Sequence, residues 1–305
     1  MKTADRPQTI QRVVQEAVET LSAAKDLVPH LEAESLLAFT LGKSRAYLFA
    51  WPEKTLTPDE LKRFRNLILR RLKGEPHAYL TGQKAFWSLL LKVSRETLIP
   101  RPETELLVER ALELLPLNLS NTIADLGTGS GAIAAALAHE RPMSQIWATD
   151  RSAAALAVAR ENFQRIGLRN IACAEGNWCE ALPSGINFSL IVSNPPYIRA
   201  GDPHLGQGGL PWEPVGALVS GETGLNDLRQ IIDQAFAHLL PGGWLLLEHG
   251  FDQGSQVRLL LAERGYVAIR TRHDLSGLDR LTEGHRPTQE TGTNPGLRIG
   301  ESTPS

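Results

Sequence analysis

The feature that most constrains the fold is the alternation of short apolar runs with amphipathic stretches across residues 122–271. Each apolar run has the length of a buried β-strand, and the stretches between the runs have the apolar spacing of helices. The predicted strands cover 122–126, 145–150, 170–175, 188–193, 244–249 and 266–271, and the predicted helices cover 131–140, 153–166, 226–240 and 254–264. Strands that alternate with helices form a parallel-rich sheet with helices on both faces. The sequence therefore predicts an α/β fold for this part of the chain.

A helical segment precedes the α/β part. One face of its first predicted helix carries apolar residues at helical spacing, namely Ile10, Val13, Val14, Ala17, Val18 and Leu21. A second helix is predicted over 31–41. A third begins at Thr57, where Pro58 and Glu60 complete the pattern of a capped helix start. We therefore predict a small helical domain over residues 1–82.

A short linker and a polar tail flank the α/β part. Leu89, Leu91 and Val93 alternate with other residues after an aromatic pair, which predicts a β-hairpin linker over 83–98. The α/β domain then covers 99–283. Residues 284–305 are rich in Thr, Gly, Pro and Ser and carry few apolar side chains, so we predict a disordered tail there.

Composition and charge exclude several classes of protein. With 42% hydrophobic and 22% charged residues, the 305-residue chain has the composition of a globular protein and is long enough for two domains. Its net charge of −2 lacks the basic field of a duplex-binding protein, so we expect no stable nucleic-acid binding. No secretory signal or membrane-length apolar run is present, which predicts a cytoplasmic protein. Cys173 and Cys179 lack metal-site spacing, so we expect free thiols and no metal.

A glycine-rich turn opens the α/β domain. It reads Gly127, Thr128, Gly129, Ser130 and Gly131, between the first predicted strand and an Ala-rich helix. Glycine allows a sharp turn and lets a ligand approach the backbone closely. Asp150 ends the next strand, where a carboxylate can accept hydrogen bonds from a ribose diol. The alternative is a glycine turn that only packs tightly.

The spacing of the glycines distinguishes between nucleotide ligands. Dinucleotide folds usually carry G-x-G-x-x-G for a pyrophosphate, whereas this loop is G-x-G-x-G after Asp125. That pattern resembles the first motif of S-adenosylmethionine-dependent methyltransferases. Asn177 and Trp178 follow the third strand, and we predict that Trp178 lies on the adenine while Asn177 bonds its edge. An ordinary buried Trp is the alternative.

The sequence Asn194-Pro195-Pro196-Tyr197 directly follows the fourth predicted strand, so it faces the same crevice as the glycine turn. This motif resembles the signature of methyltransferases that modify a planar nitrogen. Such a nitrogen is a poor nucleophile because its lone pair is delocalised. The Asn194 side-chain oxygen and the Pro195 carbonyl can accept its two N–H groups and direct the lone pair toward a sulfonium methyl. Pro196 stiffens the loop, and Tyr197 is predicted to pack on the flat target group.

A larger set of motifs carries a more specific resemblance. The chain has I-P-R-P-E-T-E at 99–105, N-P-P-Y-I followed by D-P-H-L at 202–205, E-P at 213–214, A-L at 217–218, G-E-T-G-L at 221–225 and L-L-L-E-H-G at 245–250. Together with the helical first domain, these motifs resemble the HemK/PrmC family, glutamine N5-methyltransferases of peptide-chain release factors. The resemblance covers about residues 5–282.

The resemblance implies a fold, a substrate and a set of roles. The α/β domain should be a Rossmann-like class I S-adenosylmethionine-dependent methyltransferase domain. Its substrate should be the glutamine of the Gly-Gly-Gln motif in class I release factors. The cofactor should contact the glycine loop, Asp150, Trp178 and Asn194, and the glutamine should contact residues 194–197. The helical domain and the linker should help hold the release factor, Arg101 and residues 103–105 should shape the site, and the enzyme should be a monomer.

Three other interpretations compete with this one. A related family methylates a glutamine of a large-subunit ribosomal protein, but its linker motif commonly has Ser where this chain has Pro102-Glu103-Thr104-Glu105. A nucleic-acid amino-methyltransferase would require a basic face. A non-catalytic binding module would not require an intact N-P-P-Y. We also interpret His249 as a structural or rim residue rather than a base.

The sequence departs from the family pattern near its end. Family members usually finish with a short apolar strand after D-R, whereas here Asp279-Arg280 leads into L-T-E-G-H-R. We therefore expect the last strand to be short or irregular, which would affect the sheet more than the active site.

Overall fold

The helical domain comes first in the structure, a computed structural model that describes residues 7–24 and 27–288. Its helices are α1 (Ile10–Leu21), α2 (Pro29–Leu41), α3 (Arg45–Ala50), α4 (Pro58–Leu72) and α5 (His77–Thr81). The predicted start of the third helix is confirmed, because Thr57 and Glu60 form a capping box at the start of α4. Leu21, Leu36 and Phe64 are almost fully buried in the small core between α1, α2 and α4.

The linker forms the predicted hairpin. Strands β1 (Gln83–Phe86) and β2 (Leu89–Lys92) pair antiparallel, and Phe86 and Leu91 are buried against the α/β domain. A 3-10 helix (Pro102–Thr104) then leads into α6 (Glu105–Leu114). The linker is therefore packed on the α/β domain rather than free.

One sheet organises the α/β domain, and the predicted fold class is confirmed. Its elements are β3 (Thr122–Leu126), α7 (Ala132–Glu140), β4 (Gln145–Asp150), α8 (Ala153–Ile166), β5 (Ile171–Glu175), β6 (Phe188–Ser193), α9 (Asn226–His238), β7 (Leu239–Glu248), α10 (Gly254–Arg264), β8 (Val267–His273) and β9 (Asp279–His285). The strand order is β5-β4-β3-β6-β7-β9-β8. The first five of these strands are parallel, and β9 is antiparallel to both of its neighbours.

The order of the strands fixes the place of a ligand crevice. The chain runs outward from β3 to β5 and then returns to the other side of β3 as β6. The connections leave β3 and β6 in opposite directions, which opens a crevice at their carboxyl ends. The glycine loop follows β3 and the N-P-P-Y motif follows β6, so both lie at this point.

The expected shortness of the last strand is wrong, whereas its expected irregularity is confirmed. Strand β9 has seven residues and pairs with both β7 and β8, and its pairing with β8 shifts register twice. Its polar side chains are buried because they have partners elsewhere in the chain: the Glu283 carboxylate accepts a hydrogen bond from Arg110 at 2.5 Å, and Thr282 bonds His249 at 2.7 Å. A strand with a largely polar sequence can therefore be buried when its polar side chains have hydrogen-bond partners.

The predicted start of the tail is also wrong. Gly284 and His285 belong to β9, and the N–H of Arg286 bonds the Gly243 carbonyl at 2.9 Å. Residues 289–305 of the predicted tail lie outside the described residues. Within the described ranges, no helix is long and apolar enough to cross a membrane.

Candidate active site

A pocket lies at the carboxyl ends of β3, β4 and β6, between the α/β domain and the end of the linker. Thr97 of the linker and Pro100, just after the linker, form part of its rim, and Gly216 forms another part. The structure brings most of the predicted site residues to its wall, namely Gly127, Thr128, Gly129, Ser130, Asp150, Asn177, Trp178, Asn194 and Pro196. Gly131, Pro195 and Tyr197 lie behind this lining.

The glycine loop has the backbone that only glycine adopts without strain. Gly129 and Gly131 have φ values of +57° and +82°, in the left-handed region. A Cβ on Gly131 would lie 2.6 Å from the Phe163 ring, whereas a Cβ on Gly129 would meet nothing within 4 Å. Gly131 therefore permits close packing of α7 on α8, and Gly129 faces the open pocket.

Asp150 is held in place by the backbone around it. One carboxylate oxygen accepts the Gly129 N–H at 2.9 Å, and the other accepts the Ser152 N–H at 2.9 Å. Each oxygen keeps a lone pair for a further donor. A carboxylate fixed in this way at the end of β4 is suited to the two hydroxyls of a ribose.

Asp125 stabilises the loop from below and was not among the predicted site residues. Its carboxyl is fully buried and accepts hydrogen bonds from the Thr128 hydroxyl at 2.6 Å and the Ala134 N–H at 3.1 Å. Burial raises the pKa of Asp125 to about 7, and the nearby charge of Asp150 adds to the effect. A positive ligand in the pocket would favour the ionised form.

Trp178 forms another part of the pocket wall. It starts a short 3-10 helix (Trp178–Ala181) with a φ of +50°, and 7% of it is exposed. A Cβ on Gly127 would lie 2.8 Å from the indole ring, so the ring covers the glycine loop. The indole Nε1 is buried without a hydrogen-bond partner. An adenine ring would fit along this wall, so these residues suit the three parts of S-adenosylmethionine: base, ribose and positive tail.

Asn194 is the polar side chain of the N-P-P-Y motif that reaches the pocket. Its Nδ2 donates a hydrogen bond to the Thr104 hydroxyl at 3.1 Å, which leaves Oδ1 available as an acceptor. Pro195 and Pro196 are buried. The side chain of Tyr197 packs against the core, and its hydroxyl lies 3.5 Å from the Glu248 carboxyl. Tyr197 therefore supports the loop from behind in this structure.

Sequence reasoning expected residues 103–105 to shape the site but assigned no role to Thr104, which is buried beside Asn194. Glu248, which is buried at the end of β7, was not among the predicted site residues. The Glu213 carboxylate pairs with Arg101 and also accepts the Ile99 N–H at 3.0 Å, which fixes the linker at the rim. Glu248 had a usable signal, because it ends an apolar strand in the same way as Asp150. His249 is fully buried with both ring nitrogens bonded, which favours its structural interpretation.

The sheet order, the glycine loop and the fixed Asp150 define an S-adenosylmethionine-dependent methyltransferase. Residues 12–82 match the family described as PrmC N-terminal domain, and residues 103–206 match the methyltransferase small domain. The chain belongs to the release factor glutamine methyltransferase family. It is 50% identical over 270 residues to that enzyme of Xylella fastidiosa, covering 88% of this chain and 98% of the relative. It is 47% identical to the Vibrio cholerae enzyme, covering 92% and 98%.

Solved structures agree with the fold. A methyltransferase from Pyrococcus furiosus superposes with a TM-score of 0.51 at 18% identity, over 73% of this chain and 98% of that chain. The hMettl16 catalytic domain in complex with the MAT2A 3'UTR hairpin 6 superposes with a TM-score of 0.55 at 15% identity, over 85% and 95%. At these identities the likeness shows the fold alone.

Proposed function

We propose that this protein transfers the methyl group of S-adenosylmethionine to the side-chain amide nitrogen, N5, of the glutamine in the Gly-Gly-Gln motif of class I release factors. The observation that supports the proposal is the hydrogen bond from Asn194 Nδ2 to Thr104, which leaves Oδ1 of this pocket-lining residue available to accept from a substrate. The names of the relatives that are about half identical support the substrate.

The residues of the chain prepare the amide nitrogen for attack. S-adenosylmethionine, when bound, supplies a methyl group activated by a positively charged sulfur. Asn194 Oδ1 accepts one N–H of the substrate amide, and the Pro195 carbonyl is proposed to accept the other. Both bonds strengthen as positive charge develops on the nitrogen, so they stabilise the transition state more than the ground state. The nitrogen would take the methyl group as the carbon–sulfur bond breaks with its electron pair left on sulfur, and the nitrogen would release one proton to solvent.

The helical domain and the linker are proposed to hold the release factor. The linker forms part of the pocket rim, and the helical domain exposes Phe49 and Trp51, at 65% and 47% exposure. Exposed aromatic side chains are common at protein interfaces. We propose that the enzyme acts as a monomer in the cytoplasm, where its substrate works, without stable contact to nucleic acid or membrane.

Asn194→Ala tests the proposed mechanism. The variant lacks the acceptor for the substrate N–H, so we expect kcat for a release factor to fall by about 100-fold or more. Asn121→Ala is the matched control. Asn121 directly precedes β3 and lies at the amino end of that strand, whereas the pocket lies at its carboxyl end. Turnover is followed by mass spectrometry of the substrate peptide, and circular dichroism checks the fold. Near-normal turnover by a folded Asn194→Ala enzyme would contradict the mechanism.

A further inference from the structure

Thr104 connects the linker motif to the catalytic loop. It ends the 3-10 helix of I-P-R-P-E-T-E, is 3% exposed, and accepts the Asn194 Nδ2–H at 3.1 Å. A hydroxyl both donates and accepts, so by itself it would bond either end of an amide. Something else must determine that Thr104 meets the nitrogen of Asn194 and not its oxygen.

Glu248 is the partner that can determine this direction. Its side chain is 2% exposed at the end of β7, close enough to the Thr104 hydroxyl for that group to lower its pKa. The Tyr197 hydroxyl approaches Oε1 at 3.5 Å, while Oε2 is buried without a hydrogen-bond partner. The carboxyl can therefore accept a further hydrogen bond. Tyr197 contacts it directly, and Asn194 is connected to it through Thr104.

We propose that Glu248 and Thr104 are positioning residues that set the direction of a hydrogen-bond chain ending at the substrate amide. Ionised Glu248 can only accept, so it takes the Thr104 hydroxyl proton. Thr104 must then accept from Asn194 Nδ2, and Asn194 Oδ1 faces the pocket as an acceptor. This inference rests on the proposed function, because it assigns the source of the Asn194 orientation.

A neutral Glu248 reverses the chain. A protonated carboxyl donates to Thr104, the Thr104 hydroxyl donates to Asn194 Oδ1, and the Asn194 amide turns its N–H groups toward the substrate N–H groups. That arrangement places donor against donor and opposes binding of the amide. The enzyme should therefore lose activity when Glu248 gains a proton.

The charges around Glu248 set the pH at which this happens. Burial raises the pKa of Glu248 to about 7, and the negative charge of Glu103 adds to the effect. Hydrogen bonds from Thr104 and Tyr197 and the positive charge of Arg280 on β9 oppose it. Since the ionised form is the active one, kcat should fall as the pH drops below about 7.

Threonine variants test the inference by kinetics. Thr104→Val keeps the shape but removes the hydroxyl, and we expect kcat on a release factor to fall about 10-fold or more while calorimetric affinity for S-adenosylmethionine changes little. Thr104→Ser should restore most of the loss, and Thr20→Val on the exposed face of α1 is the control.

In an Asn194→Ala background, Thr104→Val should change kcat less than about 2-fold, since both act through one contact. Additive effects would overturn the inference.

The Glu248→Gln variant tests the direction of the chain. Its amide can donate to Thr104 or accept from it, and it does not titrate, so the fall in activity below about pH 7 should be absent. An acid limb identical to that of the wild type would overturn the inference.

A second readout does not depend on the substrate. The side-chain amide signal of Asn194, assigned by its loss in Asn194→Ala, should shift with pH near 7 in the wild type. It should not titrate in Thr104→Val or Glu248→Gln. Loss of activity on release factors with this titration intact would refute the proposed function alone, whereas an invariant amide signal in the wild type would refute the positioning chain.

Discussion

At the scale of single residues, the site consists of side chains that are fixed before any ligand binds. Asp150 is bonded through both oxygens by backbone N–H groups, and Asn194 is bonded through its nitrogen by Thr104. In each case the group keeps a lone pair for a ligand: each Asp150 oxygen can accept one more hydrogen bond, and Asn194 Oδ1 can accept as well. Fixed groups of this kind need little reorganisation during reaction, which is the main source of electrostatic catalysis.

Asp150→Ala should mainly weaken cofactor binding. The variant loses two acceptors for the ribose hydroxyls, and hydrogen bonds to a charged group contribute about 1.5–3 kcal/mol each, so we expect an affinity about 100-fold weaker or more. Isothermal titration calorimetry with S-adenosylmethionine measures this directly. Asp233→Ala on the exposed face of α9 should bind as the wild type does. Unchanged affinity in Asp150→Ala would contradict the placement of the ribose.

At the scale of elements, two glycines of the turn between β3 and α7 have different roles. Gly131→Ala would place a Cβ 2.6 Å from the Phe163 ring at a φ of +82°, so crowding adds to backbone strain. We expect it to lower the free energy of unfolding by about 2–4 kcal/mol. Gly129→Ala carries the backbone strain alone, about 1 kcal/mol, because its Cβ has open space.

A comparison of Gly131→Ala with Gly129→Ala should distinguish effects on stability from effects on cofactor binding. Urea denaturation should rank Gly131→Ala as the less stable variant, and calorimetry should show that Gly129→Ala loses more cofactor affinity than its stability loss accounts for. Equal stability of the two variants would show that Phe163 moves aside and that α7 is not held by this contact.

The elements that sequence reasoning identified are those whose signal is local. The strands β3 to β6 are continuous apolar runs, and the rule that parallel strands end at one edge placed Asp150 and Asn194 together. The length of strand β9 was underestimated because its buried polar residues are satisfied by Arg110 and His249, far away in the sequence. The role of Thr104 and the place of Glu248 in the site could not be predicted, since both exist only through tertiary contacts. The placement of Tyr197 behind the pocket also depends on packing.

At the scale of the whole molecule, buried Glu75 ties the helical domain to the linker. Its carboxylate is 2% exposed and accepts hydrogen bonds from Arg70 of α4 at 2.7 Å and Arg95 of the linker at 2.8 Å. The Arg95 guanidinium also lies 4.7 Å from the centre of the Trp212 ring, in the loop that continues to the pocket rim. This contact chain holds the helical domain in a fixed position relative to the active site.

Glu75→Gln should destabilise this arrangement. The two arginines are 40% and 57% exposed and stay partly hydrated, so we expect a loss of about 1–3 kcal/mol rather than the larger cost of a fully buried pair. Glu161→Gln is the control, because its pair with Lys92 is exposed on both sides and should contribute less than about 1 kcal/mol. Equal urea midpoints for the two variants would contradict the role of Glu75.

The stabilisation that the Glu75 carboxylate contributes should depend on pH. Hydrogen bonds from Arg70 and then Arg95 outweigh burial and lower the pKa of Glu75 to about 2, from 4.5. A depressed folded-state pKa means that the stabilisation is fully present above pH 4.5 and is lost as the pH falls toward 2. The wild type should therefore lose more stability than Glu75→Gln over that window in thermal unfolding experiments.

The measurement that tests the central claim most directly is mass spectrometry of an unmethylated class I release factor incubated with this protein and S-adenosylmethionine. The account predicts a gain of one methyl group on the glutamine of the Gly-Gly-Gln peptide and on no other residue. A gain on a ribosomal protein instead, or no gain on the release factor while calorimetry shows bound cofactor, would contradict it.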